Sequence, residues 1–287
     1  MPEAPEAETL RRGMESFAIR RLMGPPRVER NRVFRDMESP EMLVGLLDGA
    51  IFSSIRRHGK FLILDISKDD LGESAPVLVL HMGMSGQLRA SAVGGLQATR
   101  VAHAHLTFCF LDQTEVAFID PRTFGRAYLD HLAGGESLPP TLSHLGPDIL
   151  TSDNPFSKLR ESARSSRVWI KKMLLDQRLV AGIGNMYADE ILFRARIDPR
   201  REGRSLSRAE FDSLQSSAAE VLNRAVKLGG SSLADRSYRD IGGDLGQFQN
   251  EHFAYGREGE PCARCATEIV RIVSGGRSSF LCESCQG

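Results

Sequence analysis

The sequence predicts an α+β protein in three parts. An antiparallel β-structure, sandwich or barrel, occupies residues 1–135, a helical domain 156–234, and a metal-held β-hairpin 253–287. Three observations carry this. Short β-prone runs separated by polar or glycine-rich turns fill the first part from about residue 51. A helical period replaces them after a linker at 136–155, within a stretch, 131–155, rich in Gly, Pro, Ser and Asp. The chain closes on Cys262-x2-Cys265 and Cys282-x2-Cys285 with sixteen residues between the pairs, the spacing of a tetrahedral zinc site.

The elements follow in order. Leu10, Met14 and Phe17 share one face of a short helix that begins at Pro5. Phe61–Ile66, Val77–His81, Leu106–Leu111 and Val116–Ile119 read as strands. Two helices are expected over 167–194, broken by Gly182-Ile183-Gly184-Asn185, with Asn185 as N-cap of the second. Ser207 and Glu210 form a capping box for a helix that runs through Leu214, Val221 and Leu222 to Gly229-Gly230. A glycine-containing loop, 235–252, leads to the finger, where two β-prone runs flank Ser274-Gly275-Gly276-Arg277 and set Arg277 at or near a hairpin tip.

Composition narrows the function. The chain has 287 residues, is 41% hydrophobic and 26% charged, and has zero formal net charge, so charge alone does not argue for nucleic acid. No apolar run reaches the roughly 20 residues of a membrane helix, and the acidic, polar start is not a secretory signal. Cys109 stands outside the zinc pattern, which fits a reducing cytoplasm and no disulfide scaffold. Four thiolates leave zinc no open position, so the metal is structural.

Chemistry is expected elsewhere. Removal of Met1, which a small second residue permits, would turn Pro2 into a secondary amine that is partly neutral at pH 7. Attack on a sugar C1′ would give an iminium, with Glu3 and Glu6 in reach as proton-transfer groups. A frayed acidic terminus is the plain alternative. Lys60 precedes a strand and could hold a phosphate, or simply be solvated. Met84, in His81-Met82-Gly83-Met84-Ser85-Gly86, reads either as a core residue or as a pliable wedge for a base stack. Arg122 and Phe124, in Asp120-Pro121-Arg122-Thr123-Phe124-Gly125, suit insertion into DNA, or surface and core respectively. Asn185 follows glycines at a helix start, a setting for a DNA phosphate. No His/Asp/Glu cluster has the spacing of a catalytic metal site.

In order and spacing these pieces resemble the formamidopyrimidine-DNA glycosylase family, which includes endonuclease VIII. The match spans almost the whole chain: Pro2-Glu3-Ala4-Pro5-Glu6, Lys60, Met84, Asp120–Gly125, Leu145-Gly146-Pro147-Asp148, Val180–Ala188, Tyr255-Gly256-Arg257 and the terminal cysteines. The resemblance implies an N-terminal β-sandwich with flanking helices, a helix–two-turn–helix domain and a zinc-finger hairpin. It also implies a bifunctional glycosylase and abasic-site lyase that removes oxidised purines from duplex DNA. In that reading Pro2 is the nucleophile, Glu3 the acid/base, Glu6 the support of the Pro2 pocket, and Lys60 a phosphate contact and possible proton donor. Met84, Arg122 and Phe124 fill the vacated stack, Asn185, Arg277 and Lys171 lie along the lesion strand, and loop 235–252 covers the flipped base. Cys262, Cys265, Cys282 and Cys285 hold one zinc. A cytoplasmic monomer with no membrane association is expected.

Two departures stand out. Ala4 and Ala7 replace the larger aliphatic residues usual at those positions, and the capping loop keeps its glycines but not its other residues. An endonuclease VIII-like preference for oxidised pyrimidines, or a non-catalytic damage binder, are the competing readings.

Overall fold

The computed structural model describes residues 2–69, 76–91, 101–132, 136–233 and 238–287. Residues 235–237 of the expected capping loop lie outside this set. The chain divides into a first unit, Pro2 with Glu6–Ser143 and Gly229–Gly246, and a second, Glu3–Pro5 with His144–Leu228 and Gln247–Gly287.

Helix α1 (Ala4–Ala18) buries Leu10, Met14 and Ala18, which recur every four residues and so share one face. The rest of the first unit comprises β1 (Arg27–Val28), α2 (Met42–Leu47), β2 (Ile51–His58), β3 (Phe61–Ser67), β4 (Pro76–His81), β5 (Gln87–Ser91), β6 (Ala104–Cys109), β7 (Glu115–Ile119) and β8 (Arg126–His131). They form two four-stranded antiparallel sheets, ordered β2-β3-β4-β8 and β1-β6-β7-β5. Alternate residues Leu62, Leu64 and Ile66 of one sheet, and Leu106, Phe108, Val116 and Phe118 of the other, enter one core. Phe52 and Phe108 meet edge-to-face at 5.4 Å across it. Each such side chain removed from water contributes roughly 1.5–3 kcal/mol. The expected strand through Leu111 stops at Cys109. A tight turn follows, with Gln113 at φ 65° and the Gln113 N–H donated to the Phe110 carbonyl.

The second unit is helical: α3 (Ser157–Ala163), α4 (Ile170–Leu175), α5 (Asn185–Ala195) and α6 (Arg208–Lys227). The capping box is present. Ser207 Oγ accepts from the Glu210 N–H at 3.3 Å, and the Glu210 carboxylate accepts from the Ser207 N–H at 2.7 Å. The Arg201 guanidinium, above all, holds Glu210 down to about 2. The finger is a hairpin of β9 (Val270–Ser274) and β10 (Arg277–Leu281), followed by α7 (Glu283–Gln286). Its turn is Gly275-Gly276, at φ 58° and 76°, the positive pair that a tight type I′ hairpin turn requires. No helix among the described residues is long and apolar enough to cross a membrane.

Candidate active site

Pro2 is buried and Glu3 is 3% exposed. Glu3 turns its carboxylate onto the start of α5. One oxygen accepts from the Gly184 N–H at 2.7 Å and the other from the Met186 N–H at 3.1 Å. These are orphan donors at the positive end of the helix, where a carboxylate is favoured. A Cβ at residue 184 would stand 2.3 Å from the Glu3 carboxyl carbon, so this contact requires glycine. The expectation that Asn185 caps α5 is therefore corrected. Gly184 is the N-cap and no side chain of its own segment bonds there, because Glu3, remote in sequence, already takes these N–H groups. Asn185 instead donates its amide to the Ser278 carbonyl at 3.0 Å, leaving its buried Oδ1 without a hydrogen-bond partner.

Glu6, 1% exposed, has an analogous seat in the first unit. Its carboxylate accepts from the Ser231 N–H at 2.8 Å. Gly230 has φ 79°, and a Cβ there would reach 2.6 Å from the Glu6 carboxylate. The loop behind it is tied down by Ser232, whose Oγ accepts from the Gly246 N–H and donates to the Tyr238 carbonyl. The Tyr238 hydroxyl donates to the Gly229 carbonyl, and burial followed by the Glu6 charge raises this phenol well above its ordinary value. Ala4 and Ala7 are both buried, at 0% and 1%.

Lys60 is the second residue of the two-residue turn between β2 and β3, after Gly59 at φ 59°. It lies close enough to His81 to act on it. Burial first, then the charges of Lys60, Arg126 and Arg35, push His81 down to about 4. The neutral imidazole accepts from the Gly83 N–H at 3.1 Å and so shapes the Met84 loop.

Asp120, fully buried, organises that loop and its neighbour together. It accepts from Ser85 Oγ at 2.5 Å, the Gly125 N–H at 2.6 Å and the Arg122 N–H at 3.3 Å. Three side chains project from this base: Met84 at 41% exposure, Phe124 at 49%, and Arg122, whose guanidinium lies 5.1 Å over the Phe124 ring. Met84 and Phe124 are thus surface residues, and the core alternatives for them are excluded. Arg35, which the sequence did not suggest, donates to the carbonyls of Thr123, Phe124 and Gly125.

In the second unit Lys171 is 4% exposed. It meets Asp189 at 2.7 Å and donates to the Ser278 carbonyl at 2.8 Å. Burial lowers Lys171 and raises Asp189 to about 7, against the attraction between them. Asp189 also accepts from the Phe280 N–H at 3.2 Å. Lys171, Asn185 and Asp189 therefore grip strand β10 at Ser278 and Phe280, just beyond exposed Arg277. Glu190, also unforeseen, is 2% exposed and accepts from the N–H groups of Phe253, Ala254 and Tyr255.

The four cysteines fit zinc. Their Sγ atoms all lie within 4.8 Å of one another. Individual separations are 3.9 Å for Cys262–Cys285, and 3.4 Å for both Cys265–Cys282 and Cys265–Cys285. Tetrahedral bonds of about 2.3 Å place sulfurs roughly 3.8 Å apart. The set is that of one structural zinc.

Comparison with known proteins agrees. Residues 1–127 match the formamidopyrimidine-DNA glycosylase N-terminal domain, 145–237 its H2TH domain, and 259–287 the zinc finger found in FPG and IleRS. The formamidopyrimidine-DNA glycosylase of Corynebacterium jeikeium is 39% identical, with 100% of both chains covered. That of Geobacillus kaustophilus is 36% identical over the same shares. Among solved structures, a complex of Lactococcus lactis Fpg with DNA containing an abasic site superposes with a TM-score of 0.85 at 36% identity, covering 99% of each chain. MutM (Fpg) from Thermus thermophilus gives 0.82 at 36% identity, covering 99% of this chain and 98% of that one. These matches define the class, a DNA glycosylase of DNA repair. The chain belongs to the formamidopyrimidine-DNA glycosylase family.

Proposed function

We propose that this enzyme excises oxidised purines, such as 8-oxoguanine and formamidopyrimidines, from duplex DNA and then cuts the strand at the abasic site. The observation that carries the reading is Glu3. Its carboxylate is held by two amides at the start of α5, immediately after Pro2 in the chain. With Met1 removed, the Pro2 nitrogen forms a bond to C1′ of a flipped nucleotide as the bond from C1′ to the base breaks. Glu3 delivers a proton to the sugar ring oxygen, which opens the ring and gives the iminium. Loss of a C2′ proton then expels the 3′ phosphate, a second elimination expels the 5′ phosphate, and water releases Pro2.

Other residues take roles that suit their positions. Glu6 fixes the segment bearing Gly230 and Ser231 beside α1. Lys60 contacts a phosphate and serves as a proton donor. Met84, Arg122 and Phe124 are exposed and fill the vacated base position. Asn185, with a free amide oxygen, and Arg277 line the lesion strand. Lys171 acts from beneath them through Ser278. Loop 235–252 covers the extruded base, and the chain works as a cytoplasmic monomer on DNA carrying oxidised bases or abasic sites. The complexes of Lactococcus lactis Fpg with abasic-site and Fapy-dG DNA support this partner.

Borohydride reduction during turnover on an 8-oxoguanine duplex is expected to trap a covalent adduct at Pro2. A thymine glycol duplex should trap much less. An adduct mapped to any other residue overturns the mechanism, and preferential trapping on thymine glycol overturns the purine preference.

A further inference from the structure

A cleft of about 360 Å³ opens in the helical unit between the end of α3, the 203–206 turn and the first turn of α6. Arg160, Arg164, Arg204 and Arg208 surround it, and Leu206 and Phe211 form its floor. Two of these cations are neutralised. Arg160 pairs with Asp212 at 2.5 Å and lies 5.5 Å from the Phe211 ring, and Arg204 pairs with Glu202 at 2.7 Å. Arg164 and Arg208 are exposed, and among the described residues their side chains have no hydrogen-bond or ion-pair partner. The N-terminal amides of α6 are not the attraction, since Ser207 and Glu210 already close that end.

No residue of the 182–186 segment lines the cleft. Tyr187, in the first turn of α5, packs on Phe248 at 5.6 Å, and the neighbouring Gln247 N–H is donated to the carbonyl of Leu228 at the end of α6. The arginine cleft is at the start of this 20-residue helix, whose length is about 30 Å.

Its chemistry asks for two things together. Unpaired guanidiniums seek carboxylates or phosphates, which they bind in bidentate fashion. A concave, mainly apolar floor seeks an apolar side chain. A duplex phosphate satisfies only the first. We propose that the cleft docks an acidic peptide segment of a partner protein, with an apolar side chain on Phe211 and Leu206 and carboxylates on Arg164 and Arg208.

The test is fluorescence anisotropy of the full-length, zinc-loaded enzyme with a labelled Asp-Asp-Asp-Leu-Phe peptide. Saturable binding is expected, weakened about tenfold or more by Arg164→Glu with Arg208→Glu. It should also weaken when the peptide's Leu and Phe become Ser. Excision from lesion duplex by the double variant should be unchanged, which also verifies that it folds. No saturable binding, or equal binding by the double variant, overturns the proposal. Equal binding of the Ser peptide overturns it in favour of a plain anion site. Loss of duplex affinity in the double variant, with the peptide displaced by undamaged duplex, overturns it in favour of a nucleic-acid contact.

Discussion

Asp120 and Asp189 are both buried aspartates that hold functional surface segments from below, and they do so by different means. Asp120 accepts only from neutral donors: one hydroxyl and two backbone N–H groups of the loops it organises. Asp189 faces a cation, Lys171, and binds one N–H of the finger hairpin. A carboxylate bound by a hydroxyl and backbone amides can fix a loop whose side chains must stay exposed. A buried ion pair bridges elements distant in sequence, but each partner depends on the other remaining in place. The finger needs this second device, because its own core is small: Phe193, Ala254, Cys262, Ile269 and Cys282.

The largest expected effect follows from that dependence. Asp189→Ala leaves Lys171 charged and unpaired at 4% exposure. It should destabilise the protein by about 3–5 kcal/mol, whereas Asp189→Leu combined with Lys171→Met should recover most of the loss. Denaturant unfolding of the two variants measures this. A single-variant loss under about 1 kcal/mol would mean that water already reaches the pair. Hydrogen exchange at the Phe280 amide should speed up in both variants, since both lose its acceptor.

Asp120→Asn is expected to lose about 1–3 kcal/mol, because the amide's NH2 must face a donor where the carboxylate accepted one. Its sharper signature is functional. Excision of 8-oxoguanine should fall more than cleavage of a ready-made abasic site, which has no base to displace from the stack. Equal losses on both substrates would remove the Met84 and Phe124 loops from base displacement.

The contrast also explains what could be read in advance. β3, β4, β7 and α6 with its cap were legible because their signals, short runs of β-prone apolar residues and a Ser207-to-Glu210 capping box, lie within a few residues. β2, β5 and β8 were not foreseen: Ser53, Ser54, Arg56 and Arg57 in β2, Gln87, Arg89 and Ser91 in β5, and Arg126, Asp130 and His131 in β8 leave no continuous apolar run to mark them. The candidate residues were located mainly by resemblance, and their supports were not located at all. Asp120 meets Ser85, Glu190 meets Phe253, and Glu3 meets Gly184, all pairings that no local pattern encodes. The misassigned Asn185 cap has this same cause, a carboxylate arriving from the far end of the chain.

His81 offers a smaller effect with a definite sign. Its folded value of about 4 is below the ordinary 6.5, so the unfolded chain binds the extra proton between those values. Stability is therefore full above pH 6.5 and falls as pH drops toward 4, by roughly 2 kcal/mol near pH 5. His81→Gln should flatten this part of the pH–stability curve while Asp120→Asn leaves it in place. Retention of the full slope in His81→Gln would assign the titration to another group.

The smallest effect on stability should come from Arg122→Ala, and it separates support from action most cleanly. The guanidinium lies over the exposed Phe124 ring and makes no ion pair among the described residues. Its removal should change folding by no more than about 0.5 kcal/mol. In the role proposed for it, Arg122 acts through the base left without its partner. Arg122→Ala should therefore reproduce the selective excision defect of Asp120→Asn without its loss of stability. If excision by Arg122→Ala matches wild type while Asp120→Asn is impaired, Asp120 serves Met84 and Phe124 alone, and Arg122 has no part in holding the estranged base.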